Sequence, residues 1–155
     1  MTFHLPLKAS LAAAMTVALL LAATAGPAQA RNTFLMQPLA EVMTQPEAQR
    51  RLDPSIRLYF ADQQHPEIQS RRGGYFSSNK VRALFRSDAE SCRVAALESL
   101  LALQARARQV GADAVVNIVS YYEQRPNPNS ERYECRAGNV VTEVAFKGDM
   151  VTLGQ

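Results

Sequence analysis

The chain has 155 residues, of which 47% are hydrophobic and 20% are charged, and a formal net charge of +3. Its cations are scattered among acidic residues, a pattern typical of a solvated surface and unlike the basic patch of a nucleic-acid-binding protein. The length suits one domain of ordinary size after any leader is removed.

The first thirty residues have the features of a secretory signal peptide. Lys8 precedes the apolar run ASLAAAMTVALLLAATAG, and residues 28–30 (AQA) are small where signal peptidase cleaves. The alternative is a membrane anchor, but the run is short for a span and a Gly-Pro pair interrupts it. Cleavage after Ala30 leaves residues 31–155 as a single domain exported to the periplasm. No cysteine near the cleavage point supports a lipoprotein.

Both cysteines, Cys92 and Cys135, lie in the predicted mature chain. An exported chain meets an oxidising compartment, where two cysteines most simply form one disulfide. The alternatives are two reduced thiols or a shared metal ion, although two cysteines without paired histidines make a poor zinc site. The disulfide would close a loop of about forty residues and contribute at most about 4 kcal/mol.

The first half of the mature chain predicts short helical turns and then strands. QPLAEVMTQPEAQRRLDP has helical spacing interrupted by Pro46, and SIRLYF alternates like a half-buried strand. ADQQHPEIQSRRGG is polar and predicts turns. GYFSSNKVRALFRS predicts one or two strands, with SSNK as a candidate turn before alternating residues 81–86.

The strongest predicted element is a helix over residues 88–110. Ser87 to Glu90 matches a capping box, and Gly111 stands where a left-handed cap would end the helix. Apolar residues between them recur at spacings of three and four, so they form one stripe that we expect to lie on a sheet. The stripe consists of Cys92, Ala96, Leu100, Leu103, Ala107 and Val110.

Three strands are predicted after this helix. ADAVVNIVSYYE shows little alternation, which indicates a central strand buried on both faces. After the loop QRPNPNS come ERYECRAG and NVVTEVAFKGDMVTL, where Gly148 predicts a bulge or a turn. The fold class predicted is α+β, a mostly antiparallel sheet with one long helix packed on one face, and a Cys92–Cys135 bond would staple the helix start to a strand.

The sequence contains no recognisable catalytic, cofactor or metal site. It lacks the phosphate loop of an ATPase and the glycine motif of a dinucleotide-binding domain. His65 is the lone histidine of the mature chain and is expected at the surface; with Asp62 and Glu67 it would make only a weak cation site.

Other polar residues are expected to be structural, with one candidate contact surface among them. Asp113 is expected to bond neighbouring backbone groups, and Asn117 to be a buried polar residue or a pocket-lining one. Tyr121 and Tyr122 are expected to point to opposite faces. One of them, with Tyr133 across a hairpin, would form an exposed aromatic patch for a partner or ligand, unless the pair only stabilises the hairpin.

Residues 87–123 and 133–153 resemble small secreted proteobacterial proteins that carry the label "excinuclease ATPase subunit". The helix–GADAVVNI–strand unit and the late VAFKG strand are more remotely similar to the YbjQ-like family and to the envelope stress sensor RcsF. The label implies an ATPase, for which this chain has no phosphate loop. The likeness to RcsF implies an α+β domain that works by protein contact, and the YbjQ-like relatives imply homo-oligomers.

These observations together predict a non-enzymatic periplasmic envelope protein that acts through protein–protein contact, with a link to envelope stress. We expect it to bind no ATP, no nucleic acid and no cofactor. The alternative function is binding of a small ligand or a metal in a cleft between the N-terminal segment and the sheet. An enzyme of unknown type is the third alternative.

Overall fold

The computed structural model describes residues 31–154, so the predicted signal peptide lies outside the described residues. The elements in chain order are β1 (Asn32–Pro38), α1 (Ala40–Met43), α2 (Pro46–Arg51), β2 (Arg57–Phe60), β3 (Ile68–Arg82), α3 (Asp88–Gln109), β4 (Ala114–Ser120), β5 (Arg132–Gly138) and β6 (Val141–Leu153). They form a mostly antiparallel, curled sheet with one long helix packed on it, which confirms the predicted α+β class.

The long strand β6 is the centre of the six-stranded sheet. The order is β1-β5-β6-β4-β2, and β3 pairs with β6 as well. Strand β3 follows β6 along its whole length, whereas β5 pairs with the start of β6 and β4 with its later part. Only β2 runs parallel to its neighbour, β4. The predicted central position of β4 is therefore confirmed.

Helix α3 begins and ends within one residue of its predicted limits. The hydroxyl of Ser87 accepts a hydrogen bond from the backbone N–H of Glu90, and Gly111 follows the helix with a φ of +67°. All members of the predicted stripe except the half-buried Val110 are fully buried against the sheet. No helix within residues 31–154 is long and apolar enough to cross a membrane.

A disulfide joins Cys92 in the first turns of α3 to Cys135 in β5, with 5.8 Å between the two Cα atoms. Both cysteines are buried in the main core. The predicted staple between helix and strand is confirmed, and the two alternatives, free thiols and a metal pair, are wrong.

Polar side chains of α3 tie the helix to the rest of the fold. The Ser99 hydroxyl donates to the carbonyl of Val144 in β6, at 2.8 Å. The Gln104 amide donates to the carbonyls of Asp53 and Ile56 and accepts from the Asp53 N–H, at 2.8–2.9 Å. The bonds of Gln104 hold the segment between α2 and β2 against the middle of the helix, and the bond of Ser99 holds the helix against β6.

The chain before α3 is more extended than the sequence predicts. Strand β1 was missed, and β3 begins at Ile68, within the segment predicted as turns. The SSNK segment lies inside β3 and is not a turn, while Ala83 and Phe85 lie beyond its end. The error at β3 has a physical cause. This strand is exposed on much of both faces, so its pairing with β6, and not an apolar pattern, makes it a strand.

Gly148 lies at the level of a bulge, but the extra residue is in β4. Val116 and Val119 face Asp149 and Lys147, so two residues of β4 stand opposite Gly148 alone. A Cβ on Gly148 would lie 2.5 Å from a methyl of Val115. The glycine is therefore required by close approach, and β6 continues through it without a turn.

Candidate functional site

The face of the sheet opposite α3, which we call the outer face, carries a row of side chains across four strands. Phe34 of β1 stands opposite Arg136 of β5. Arg136 in turn stands opposite Glu143 of β6, and Glu143 stands opposite Lys80 of β3. Side chains alternate between faces along a strand, and the neighbours of Arg136 in β5 are buried on the helix side. The row therefore points away from the core.

Arg136 is held between two aromatic rings. Its guanidinium carbon lies 4.5 Å from the ring centroid of Phe34 and 4.5 Å from that of Tyr122. Both contacts are within the range of a cation–π interaction. The Nε of Arg136 is buried and has no hydrogen-bond partner among the described residues. The rings thus fix a positive charge that retains unused donor capacity.

A hollow of about 320 Å³ lies beside this arginine. Arg31, Lys80 and Arg136 contribute positive charge to its lining, and Glu143 is the single acid. Glu143 is already engaged, because Lys80 lies 3.6 Å from it and the Ser78 hydroxyl donates to it. Arg31 is also engaged, with Asp88 at 2.6 Å, so within the described residues Arg136 is the cation of the lining that has no acidic partner. It gives the hollow a net positive charge, which suits a carboxylate from another molecule.

A second aromatic–cation group lies on the same face. The ring of Tyr121 lies 5.9 Å from that of Phe76 and 5.1 Å from the Lys147 ammonium nitrogen. Phe76 and Lys147 are direct partners across β3 and β6, and Phe76 remains 53% exposed. The outer face consequently exposes two clusters in which aromatic rings and cations alternate.

The end of β4 places both predicted tyrosines on this face. The strand stops at Ser120, and the N–H of Tyr121 donates to the carbonyl of Ala145. A tight 3₁₀ turn over Tyr122–Gln124 follows, with Glu123 at a φ of 50°. The prediction that Tyr121 and Tyr122 point to opposite faces is wrong, because strand alternation ends before them.

Tyr133 does not belong to the exposed patch. It is buried on the inner face, with its ring 5.9 Å from that of Phe146. Burial raises the pKa of its phenol well above the ordinary value, and its hydroxyl has no partner among the described residues. Its role is in the core, so the surface predicted from the three tyrosines contains only Tyr121 and Tyr122.

The remaining candidate residues are separate from this face. Asp113 has a structural role, but its carboxylate accepts a hydrogen bond from the N–H of Leu153 in β6 and not from the neighbouring backbone that was predicted. Asn117 is exposed at the β4 bulge with a φ of 52° and lines a shallow hollow of about 400 Å³, so it is not a buried polar residue. His65 is exposed, and its ring packs edge-on against Tyr59. Within residues 31–154, no three or more His, Cys, Asp or Glu side chains are grouped to hold a metal ion.

A separate cleft of about 570 Å³ lies between the N-terminal segment and the sheet, where the alternative hypothesis expected one. Leu39 and Met43 line it from the α1 side, and Leu58 and Phe60 line it from β2. Gln63 closes one side by donating to the carbonyl of Ser130. Asn117, Tyr121 and His65 are not among the residues that line this cleft.

Comparison of the chain with models of known protein families, with curated proteins and with solved structures found no match.

Sequence patterns alone identified Tyr121 and Tyr122 but missed Phe34, Phe76 and Arg136. These three residues are far apart in the chain, and only the registers of β1, β3 and β5 bring them to one face. The available signal was local and partial: Phe76, Lys80 and Arg82 lie at even-numbered positions and therefore on one face of β3.

Proposed function

We propose that this protein is an exported, non-enzymatic protein of the bacterial cell envelope that works by contact with a partner protein through the outer face of its sheet. The signal-peptide features of residues 1–30 support export, and the disulfide suits an oxidising compartment. The resemblance to RcsF supports a role in sensing envelope stress. The single cysteine pair and the absence of a cysteine at the cleavage point are departures from that relative.

The observation that carries the proposal is the Arg136 sandwich. A cation fixed between Phe34 and Tyr122 on an exposed face combines the residue types, arginine and aromatics, that dominate binding energy at protein interfaces. The ring of Phe34 is exposed and that of Tyr122 is half-buried, so both can be reached from the surface. Because Arg136 is already ordered by the two rings, binding of a partner would cost less side-chain conformational entropy.

Photo-crosslinking in cells that make the full chain tests this function. A benzoylphenylalanine at position 122 replaces Tyr122 in the outer face, and the same residue at position 49 replaces Gln49, an exposed residue of α2. We expect a discrete crosslinked protein from position 122 and none from position 49. Equal products from both positions, or no product from position 122, would contradict the proposal.

The cleft supports a second candidate function, binding of a small apolar ligand. Its walls are Leu39, Met43, Leu58 and Phe60, and its volume lies within the range of small-molecule sites. The uncharged fluorescent probe N-phenyl-1-naphthylamine should bind saturably to the native protein. It should bind much more weakly to a Met43→Trp variant, in which the indole fills the cleft. Equal binding to Met43→Trp and to a surface control, Val140→Trp, would exclude this candidate.

A further inference from the structure

Strand β3 is an edge strand of unusual length. It runs for 15 residues, pairs with β6 on one side, and has no backbone partner on its other side among residues 31–154. Register irregularities are confined to its first part, up to Gly73, which has a φ of +102°. From Gly74 to Arg82 the register is continuous, so this stretch, which we call the open edge, presents an unbroken set of unpaired backbone donors and acceptors.

The charges on β3 select what can pair with the open edge. The only charged residues of β3 are Arg71, Arg72, Lys80 and Arg82, all positive, and the last two lie in the open edge. Residues 31–155 carry 16 cations against 14 acids, a net charge of +2, so this one strand holds more positive charge than the whole mature chain has in excess. Within the described residues Arg71, Arg72 and Arg82 form no ion pair.

A second copy of this chain is a poor partner for the open edge. Two β3 strands paired about a two-fold axis would bring eight cations together with no acid in either strand. The mutual repulsion of these charges opposes the pairing. Basic residues on an edge strand are a common guard against such self-association.

An acidic strand would remove this repulsion. A strand added beside β3 places alternate side chains on the outer face, next to Phe76, Lys80 and Arg82, and the others beside Tyr75 and the end of α3. Acidic residues beside Lys80 and Arg82 would therefore meet the two cations of the open edge. Phe76 already belongs to the outer face, so an added strand would be continuous with the proposed contact surface.

We propose that the partner inserts an extended acidic segment that pairs with the backbone of β3 as a seventh strand of the sheet. This inference rests on the proposed contact function and specifies the chemistry of the partner. Main-chain hydrogen bonds provide affinity in such strand addition, and alternate side chains provide specificity.

Peptide binding to the oxidised full chain, expressed with its leader, tests this inference by fluorescence anisotropy. The probe is a nine-residue peptide of alternating glutamate and valine, matched in length to the open edge. Its controls are the lysine–valine counterpart and a glutamate–valine peptide with N-methylated alternate amides, which keeps the charge but loses backbone donors. We expect saturable binding of the acidic peptide, about ten-fold weaker binding of the methylated one, and none of the lysine peptide.

Charge reversal on the protein provides the matched comparison. Arg72→Glu combined with Arg82→Glu should weaken binding of the acidic peptide by about ten-fold or more. Arg50→Glu combined with Arg125→Glu makes the same change in net charge at exposed positions away from β3 and should weaken it much less. Amide hydrogen exchange should slow at alternate residues of Gly74–Arg82 when the acidic peptide binds.

Three outcomes would overturn strand addition: equal binding of the methylated peptide, equal effects of the two charge reversals, or no slowing of exchange in the open edge. Binding to vesicles of equal parts phosphatidylglycerol and phosphatidylcholine that outcompetes the peptide would also overturn it, because β3 would then serve a membrane surface. Crosslinking from position 122 that persists when the peptide fails to bind would leave the contact function standing without strand addition.

Discussion

The inner and outer faces of the sheet are built by the same strands and differ in what their side chains do. On the inner face Phe146, Tyr133 and the α3 stripe are buried around the disulfide. On the outer face rings of similar size stay partly exposed and pack against cations. The alternation of side chains along each strand separates these two sets. Toward the end of β6 the outer face also carries a smaller buried cluster, formed by Ala114, Val116, Val151 and Leu153.

Two phenylalanines make the sharpest test of this division. Phe146 is 1% exposed and Phe76 is 53% exposed, on adjacent strands. Phe146→Ala should lower the free energy of unfolding by about 3–5 kcal/mol, because it leaves a cavity in the core. Phe76→Ala should cost less than about 1.5 kcal/mol, since it loses only a surface contact with Tyr121. Urea unfolding measures both, and equal losses would abolish the distinction.

Removal of the disulfide should weaken the inner face and leave the outer face intact. The loop it closes spans a sequence separation of 43, for which chain entropy gives at most about 4 kcal/mol. We expect a Cys92→Ala, Cys135→Ala variant to lose about 2–4 kcal/mol in urea unfolding. Addition of reductant should destabilise the native protein and not the variant. A variant as stable as the native protein would show that the bond does not support the core.

Gly148 tests the pairing of β4 with β6 at the bulge of β4. Gly148→Ala should destabilise by about 1–3 kcal/mol, because the new methyl meets Val115 and Ile118. Gly154→Ala is the matched control, since its nearest neighbours lie at 3.6 Å or more. Thermal unfolding should separate the two variants. Similar melting temperatures would mean that the bulge of β4 relaxes to accept a side chain.

The smallest expected effect is a dependence on pH at the exposed end of α3. A hydrogen bond from Arg108, at 2.7 Å, and bonds from Ser55 lower the pKa of Asp53 to about 2. A lowered folded-state pKa contributes stability that is complete above the ordinary value near 3.8 and disappears as the pH falls through about 2.

Asp53→Asn should therefore be less stable than the native protein at pH 5, and the difference should shrink as the pH falls and vanish below pH 2. Urea midpoints across this range measure the difference. Arg108→Gln should remove most of the same pH dependence, because it removes the main partner of the carboxylate. A constant gap between Asp53→Asn and the native protein at all pH values would show that the carboxylate acts through something other than its charge.

Local sequence signals predicted the parts of the fold that are locally determined. The Ser87 cap, the apolar stripe of α3 and Gly111 fixed the helix within one residue, and β4 was evident from its run of β-branched residues. Strand β3 could not be found this way. Its polar and glycine-rich start resembles a turn, and only the ladder to β6 makes it extended.

The candidate site was predictable only in part for the same reason. Tyr121 and Tyr122 stood out as adjacent aromatics, yet their partners Phe34, Phe76 and Arg136 come from three strands whose register no local pattern encodes. Tyr133 has the residue type of the patch but lies three residues from Arg136 in β5. Because side chains alternate along a strand, it points to the opposite, inner face.

The most direct test combines stability and contact in one variant, Arg136→Ala. We expect its free energy of unfolding to stay within about 1 kcal/mol of the native protein, because the side chain lies outside the core. Crosslinking to the partner from position 122 should fall by about ten-fold in the same variant, because the fixed cation is gone. Full crosslinking, or a loss of stability as large as that of a core substitution, would contradict a sheet with one face for folding and one for contact.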